Sequence, residues 1–205
     1  MKNKIIDAAL ELANEIGIHR ITTNHIIDRL GISPGTFYYH FKNKEEIIRK
    51  IFERITAEFD ALFTGDQSSY SILVYAHIIK NIYLLYYKYR SFYYDVSMLL
   101  DRDGELEKMY RENYRKKSEK LTTLTLLLEG KGILKKFNSD PERVCYLENL
   151  WIISDYRLAF LKAAGETDPD ALIERGVMSY FMFMKPYLTE ASSAEMERIL
   201  KIPLT

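Results

Sequence analysis

Apolar positions recur every three or four residues along most of the chain. Ile5/Ile6, Ala9/Leu10, Ala13 and Ile16 make one stripe with Gly17 as a stop, so the spacing predicts a helix over 3–16. Thr22 or Thr23 can cap a second helix whose apolar face is Ile26, Ile27 and Leu30, ending at Gly31. Ser33 caps a third, with Pro34 at its first position. Asn43 with Glu46 resembles a capping box opening a fourth helix, whose stripe runs from Ile47/Ile48 through Ile51/Phe52, Ile55 and Phe59 to Leu62/Phe63. The stretch "TGDQSS" at 64–69 reads as a seam. Helical patterns follow near 70–88, 91–100, 104–129, 141–164, 168–188 and 192–200, and no long run alternates as a half-buried strand does. The expected class is all-α: an N-terminal three-helix head over 1–48 and a larger helical domain over 49–205.

The third helix carries the unusual pattern. In "LGISPGTFYYHFKNKEE" five rings follow a Ser-Pro-Gly break. At about 100° per residue, Phe37 and Phe41 share the inward face with Pro34, Thr36, Tyr39 and His40 point the other way, and Tyr38 lies on a flank. Two short helices joined by Gly31-Ile32-Ser33, the second presenting polar tips, form a helix-turn-helix pattern; the bland alternative is an αα-hairpin with surface aromatics. A recognition helix must enter a major groove ~12 Å wide, which Gly35 and Thr36 permit through their small profiles. Thr23, Tyr38 and Tyr39 can donate hydroxyl hydrogen bonds to phosphates, and Lys44 supplies a cation.

Composition narrows the picture. The chain has 205 residues, 47% hydrophobic and 28% charged, with nine Gly and five Pro, which suits long helices and a sizeable core. No apolar run approaches the ~18–20 residues that span a bilayer, and the acid-bearing N-terminus is not a signal peptide, so a cytoplasmic protein without a membrane partner is expected. Formal net charge is zero, yet residues 1–54 hold nine Lys/Arg against seven Asp/Glu and three of the four histidines. One cysteine, Cys145, allows no internal disulfide; it reads as a small buried residue. No His-x-x-x-His or Glu-x-x-His pair suggests a metal, and no nucleophile or acid/base set suggests an enzyme. No cofactor is expected.

The run "ITTNHIIDRLGISPGTFYYHFKNKEEII", with "IIDAALELANEIGIHR" before it, resembles the DNA-binding head of TetR-family transcriptional regulators over about residues 3–54. The resemblance implies phosphate contacts from Thr23, Tyr38, Tyr39 and Lys44, and groove-facing or base-edge roles for Asn24, Gly35, Thr36 and His40. Asn24 stands where many members carry a basic residue or Ser, and His25 where relatives often have Val or Leu, departures that bear on the target sequence. The family implies a dimeric regulator, in most cases a repressor of a near-palindromic operator, whose body binds a small-molecule effector. The alternative is a DNA-associated scaffold that uses the same head non-specifically and recruits a protein.

Two stretches of the larger domain remain. Leu147, Leu150, Trp151, Ser154, Leu158 and Leu161, with Val177, Tyr180, Phe181 and Met184, fall at three and four spacing on two adjacent helices; they read as a four-helix dimer interface or as the chain's own core. Family resemblance favours the interface. In "NIYLLYYKYRSFYYDVSMLL" seven residues are Tyr or Phe. Tyr83, Tyr86, Tyr87, Phe92, Tyr93 and Tyr94, with His77 and Asp95 nearby, either line part of an effector pocket or pack head against body. Asp95 either faces a cationic ligand, pairs with Arg90 or caps a helix. His77 reads more simply as a core or boundary histidine than as a metal ligand.

Overall fold

Polar side chains placed just ahead of the apolar stripes start most of the helices. In the computed structural model, which describes residues 1–65 and 70–200, Thr22 accepts the His25 N–H, Ser33 that of Thr36, Asn43 that of Glu46 and Ser71 that of Val74, each at 2.9–3.3 Å. Glu46 completes the Asn43 cap in a shifted form, accepting from the Lys42 N–H at 2.9 Å. Gly31 closes the second helix in the left-handed region, at φ 60°, where a side chain would be strained.

Eleven α-helices result among the described residues. They are α1 (Lys2–Ile16), α2 (Thr23–Leu30), α3 (Pro34–His40), α4 (Lys44–Ala61), α5 (Ile72–Lys88), α6 (Arg90–Tyr94), α7 (Val96–Arg102), α8 (Gly104–Gly130), α9 (Asp140–Ala163), α10 (Pro169–Met184) and α11 (Glu190–Leu200). The all-α class is as the sequence predicts, and no described helix is long and apolar enough to cross a membrane. Three details differ. The helix expected over 91–100 is two, broken at Asp95; the last turn of the 168–188 pattern is a 3₁₀ turn, Lys185–Tyr187, where Pro186 lacks a donor; and one isolated β-bridge joins Leu134 to Leu188. Of the seam at 64–69, residues 66–69 lie outside the described residues.

One apolar core runs from Ile5 and Ile26 in the head to Leu172 and Met196 in the body. The 48/49 boundary falls inside α4, which packs on α1 at the head and on α5 in the body. Its Phe52 ring stacks on Phe92 of α6 at 5.5 Å. Polar bonds tie the same junction. Asn14 donates to the Lys88 carbonyl at 2.9 Å and accepts the Ser91 N–H at 3.2 Å, and Arg49 donates to both carboxylate oxygens of Asp103 at 2.8 Å. Asp103 also caps α8, so one carboxylate fixes the start of α8 and a residue of α4 next to the head boundary together.

Candidate functional site

Seven residues of α3 divide cleanly. Phe37 has 0% of its surface exposed and Phe41, which ends the helix, 1%. Tyr39 is 85% exposed and Tyr38 52% exposed. The helix is therefore pinned by its phenylalanines and offers its tyrosines to solvent. Gly35 is exposed, and a methyl group added there would meet only the Ser33 hydroxyl, at 3.8 Å, so interior packing does not require this glycine. Thr36 is half-buried, its hydroxyl 2.9 Å from that of Ser33, and half-buried His40 lies edge-on to Tyr39 at 5.0 Å. On α2, Asn24 is exposed and the Thr23 hydroxyl lies 3.5 Å from that of Tyr38, so Thr23 and Tyr38 sit together at the α2–α3 corner. Lys44 is held differently from a free cation. Its ammonium, half-buried, donates to the His19 and Ile18 carbonyls at 3.3 and 3.5 Å, bracing the α1–α2 turn. Lys42, exposed between α3 and α4, is a cation the sequence reading passed over.

The tyrosine-rich stretch separates in the opposite sense. Tyr83, Tyr86 and Tyr93 are buried together, with Tyr86 and Tyr93 rings 4.4 Å apart. Burial pushes all three phenols above their ordinary range, with neighbouring tyrosines and Asp155 adding to the effect. Tyr180, also buried, is pushed up to about 12 for the same reason. Of the eight residues proposed for the pocket, Tyr86 alone lines the interior void of about 20 Å³, which it shares with Phe59, Tyr75, Lys117, Trp151 and Tyr180. The others are elsewhere. His77 is exposed beside Lys80 in a surface groove; Tyr87 lies under the Arg90 guanidinium and Tyr94 under the Lys162 ammonium, at 4.5 and 4.1 Å. Asp95 faces neither a pocket nor Arg90: its Oδ2 is 2.9 Å from His19 Nδ1, across the head–body junction.

The residues expected to pair two copies lie inside one chain. Leu147, Leu150, Trp151, Ser154, Leu158, Val177, Tyr180, Phe181 and Met184 are all buried within the single chain, as is Leu161. Helical periodicity identifies the most apolar stripe, and α5, α6 and α8 already cover it. What α9 leaves open is a row four residues apart, with Val144, Ile152 (56% exposed), Tyr156 and Phe160 (60% exposed), and Met182 of α10 is also exposed. Cys145 is exposed too, contrary to its expected burial.

Sequence reasoning missed a polar group inside the body. Asp155 is 3% exposed in the middle of α9; its Oδ2 accepts from the Tyr110 hydroxyl at 2.7 Å and its Oδ1 has no hydrogen-bond partner. Burial pushes its carboxyl up, and the same burial pushes the nearby Lys117 ammonium down. The signal was available, because an acid four residues from Trp151 and three from Leu158 sits on the buried stripe.

Comparison with known proteins agrees with this geometry. The family model described as "Bacterial regulatory proteins, tetR family" matches residues 5–51, and that described as "Bacterial transcriptional repressor" matches 46–196. The chain is 39% identical over 56 residues to the class A tetracycline repressor of transposon 1721 from Escherichia coli, covering 27% of this chain and 26% of that one. It is 36% identical over 99 residues to the negative transcriptional regulator of a biofilm operon, IcaR, from Staphylococcus epidermidis, covering 47% and 54%. The aligned region thus spans about a quarter to a half of the length of these curated relatives. Over the whole chain, the crystal structure of a TetR-family transcriptional regulator from Marinobacter aquaeolei VT8 superposes with a TM-score of 0.88 at 29% identity, covering 98% of this chain and 97% of that one. With a head that pins two phenylalanines beneath an exposed Tyr38-Tyr39 pair and a repressor model matching most of the body, the chain belongs to the TetR family, a family of regulators and not of enzymes.

Proposed function

We propose that this chain is a dimeric, ligand-responsive repressor that places two copies of α3 in successive major grooves of a near-palindromic operator, in the bacterial cytoplasm. The single observation that carries the reading is the division of α3, with Phe37 and Phe41 fixed below, Gly35 and Tyr39 exposed above, and Thr36 and His40 half-buried beside them. Thr36, His40, Gly35 and Asn24 face base edges, while Thr23, Tyr38 and Tyr39 donate to phosphates. Lys44 acts by holding the α1–α2 turn and adding charge near the backbone. Residues 1–48 form the head and 49–205 the effector-binding and dimerisation body. One head binds too weakly for useful selectivity; two, about 34 Å apart or a multiple of that, read an operator whose symmetry matches the dimer.

The row Val144, Ile152, Tyr156 and Phe160 supports pairing through α9 with help from α10, since rows at i±4 are the ridges that pack helices together. An effector acts by preferring one spacing of the heads, and can shift the equilibrium only by its differential affinity for the two states. The His19–Asp95 and Arg49–Asp103 contacts lie on the route between body and head. Footprinting on DNA enriched by the purified protein tests the proposal. A protected near-palindrome of defined length is expected; diffuse protection that melts away with salt overturns it in favour of a DNA-associated scaffold.

A further inference from the structure

Lys117 of α8 places its ammonium inside a box of aromatic faces contributed by three other helices. Its Nζ is 3.7 Å from the ring centre of Phe59, 4.3 Å from that of Trp151 and 5.8 Å from that of Tyr86. Its hydrogen bond to the Tyr86 hydroxyl is long, at 3.3 Å, for a group with three donors. Asp155 stands one turn along α9 from Trp151, its Oδ1 buried and unpartnered. A buried carboxyl oxygen left without a donor is uncommon, and its charge acts on Lys117, Tyr86 and Tyr93. The void of about 20 Å³ beside them holds no more than one water, so a ligand must make room for itself.

The residue able to make that room is Lys117. As a whole it is half-buried although its ammonium is enclosed, and its flexible four-carbon stem can carry that ammonium out to solvent. Its departure would leave a slot walled by ring faces with a carboxyl behind them. Ring faces carry a negative potential, and a carboxylate adds to it, so the vacated slot attracts a cation and repels an anion.

We propose that the body takes a small organic cation, an alkyl or aryl ammonium, which replaces the Lys117 ammonium in the box formed by Phe59, Trp151 and Tyr86 in front of Asp155. The exchange is charge for charge: one cation leaves the interior as another enters. Lys117 is then a built-in stand-in for the ligand. This deepens the reading of the body as an effector domain and rests on it.

Trp151 is the chain's one tryptophan, so its fluorescence reports on the box directly. The intact protein, free of DNA, is titrated with octyltrimethylammonium and, separately, with octanoate, which carries a similar tail and the opposite charge. A saturable change with the cation alone is expected. Lys117→Ala should tighten cation binding about tenfold, the scale of the contacts no longer to be displaced, and Asp155→Asn should weaken it about as much. Lys117→Met keeps the slot filled without charge and should also tighten binding, which guards against a poorly folded alanine variant. Saturation by octanoate that disappears in Lys117→Met would make Lys117 a counter-ion and overturn the proposal, as would silence of Trp151 toward both probes. Operator footprinting fails or succeeds independently: a protected operator with no cation binding sinks only this inference, and cation binding without a protected operator sinks only the regulator.

Discussion

Tyr39 in the head and Tyr86 in the body sit in runs of equally bulky rings, yet Tyr39 is 85% exposed and Tyr86 1%. The helices that carry them explain the contrast. α3 has seven residues and touches the core along one face, which Phe37 and Phe41 already fill, so its tyrosines are left outside. α5 has seventeen residues with neighbours around most of its circumference, so Tyr75, Tyr83 and Tyr86 are enclosed. A phenol outside can bind phosphate; a phenol inside packs and needs a partner for its hydroxyl. Helix length and the number of covered faces, more than residue type, decide which work a tyrosine does.

The largest effect that would break this comparison concerns Tyr39. Tyr39→Ala should cost about 1.5–3 kcal/mol of operator binding per head, counted twice in a dimer, with an unchanged thermal midpoint. A gel-shift titration that leaves affinity intact removes its phosphate role. Tyr83→Ala should do the reverse, lowering unfolding free energy by about 3–5 kcal/mol through the cavity it opens. The closeness of that packing is visible at Gly176, where an added methyl would come within 2.4 Å of the Tyr83 ring. Denaturant curves that match the parent would show the site to be loosely packed.

Alkaline pH sharpens the contrast further. The buried phenols of Tyr75, Tyr83, Tyr86, Tyr93 and Tyr146 are held above the ordinary value of 10, so the unfolded chain loses these protons first. Their neutral forms favour the fold below that value, and stability falls as pH rises past it, by up to about 1.4 kcal/mol per pH unit for each group. Absorbance and circular dichroism followed together should show the buried set ionising only as helix is lost. Ionisation of every tyrosine in a protein that stays helical would contradict their burial. The smallest effect is expected from Tyr83→Phe. The Tyr83 hydroxyl donates to the Ile153 carbonyl at 3.4 Å, a long bond worth about 0.5 kcal/mol, near the resolution of a chemical melt.

The sequence made the head legible because its signals are local. Caps at Thr22, Ser33 and Asn43, the stop at Gly31 and the two-faced α3 all lie within a few residues of what they control. The body was less legible because its partners are distant along the chain. Asp95 meets His19, 76 residues away, and no pattern around either residue announces the other. The stripe through Leu147, Trp151 and Leu158 was recognised as apolar, but periodicity does not say whether the covering helix comes from the same chain. The exposed row through Ile152 and Phe160 was weaker as a pattern because polar Glu148 interrupts it. Asp155 was overlooked for the opposite reason: an acid in a long helix usually marks the solvated side, and here it marks the interior.

Because α4 packs against both head and body without a break, it sets the phase between them as a rigid shaft does. Each residue of an α-helix advances about 1.5 Å and turns about 100°. Removing one residue near the middle of α4 would swing the recognition surface by more than a quarter turn while leaving either half of the sequence intact. Grafting this head onto another body is therefore a problem of angular register, and joining the two within α4 at matching positions is the condition for the Tyr38-Tyr39 pair to keep its direction relative to the body.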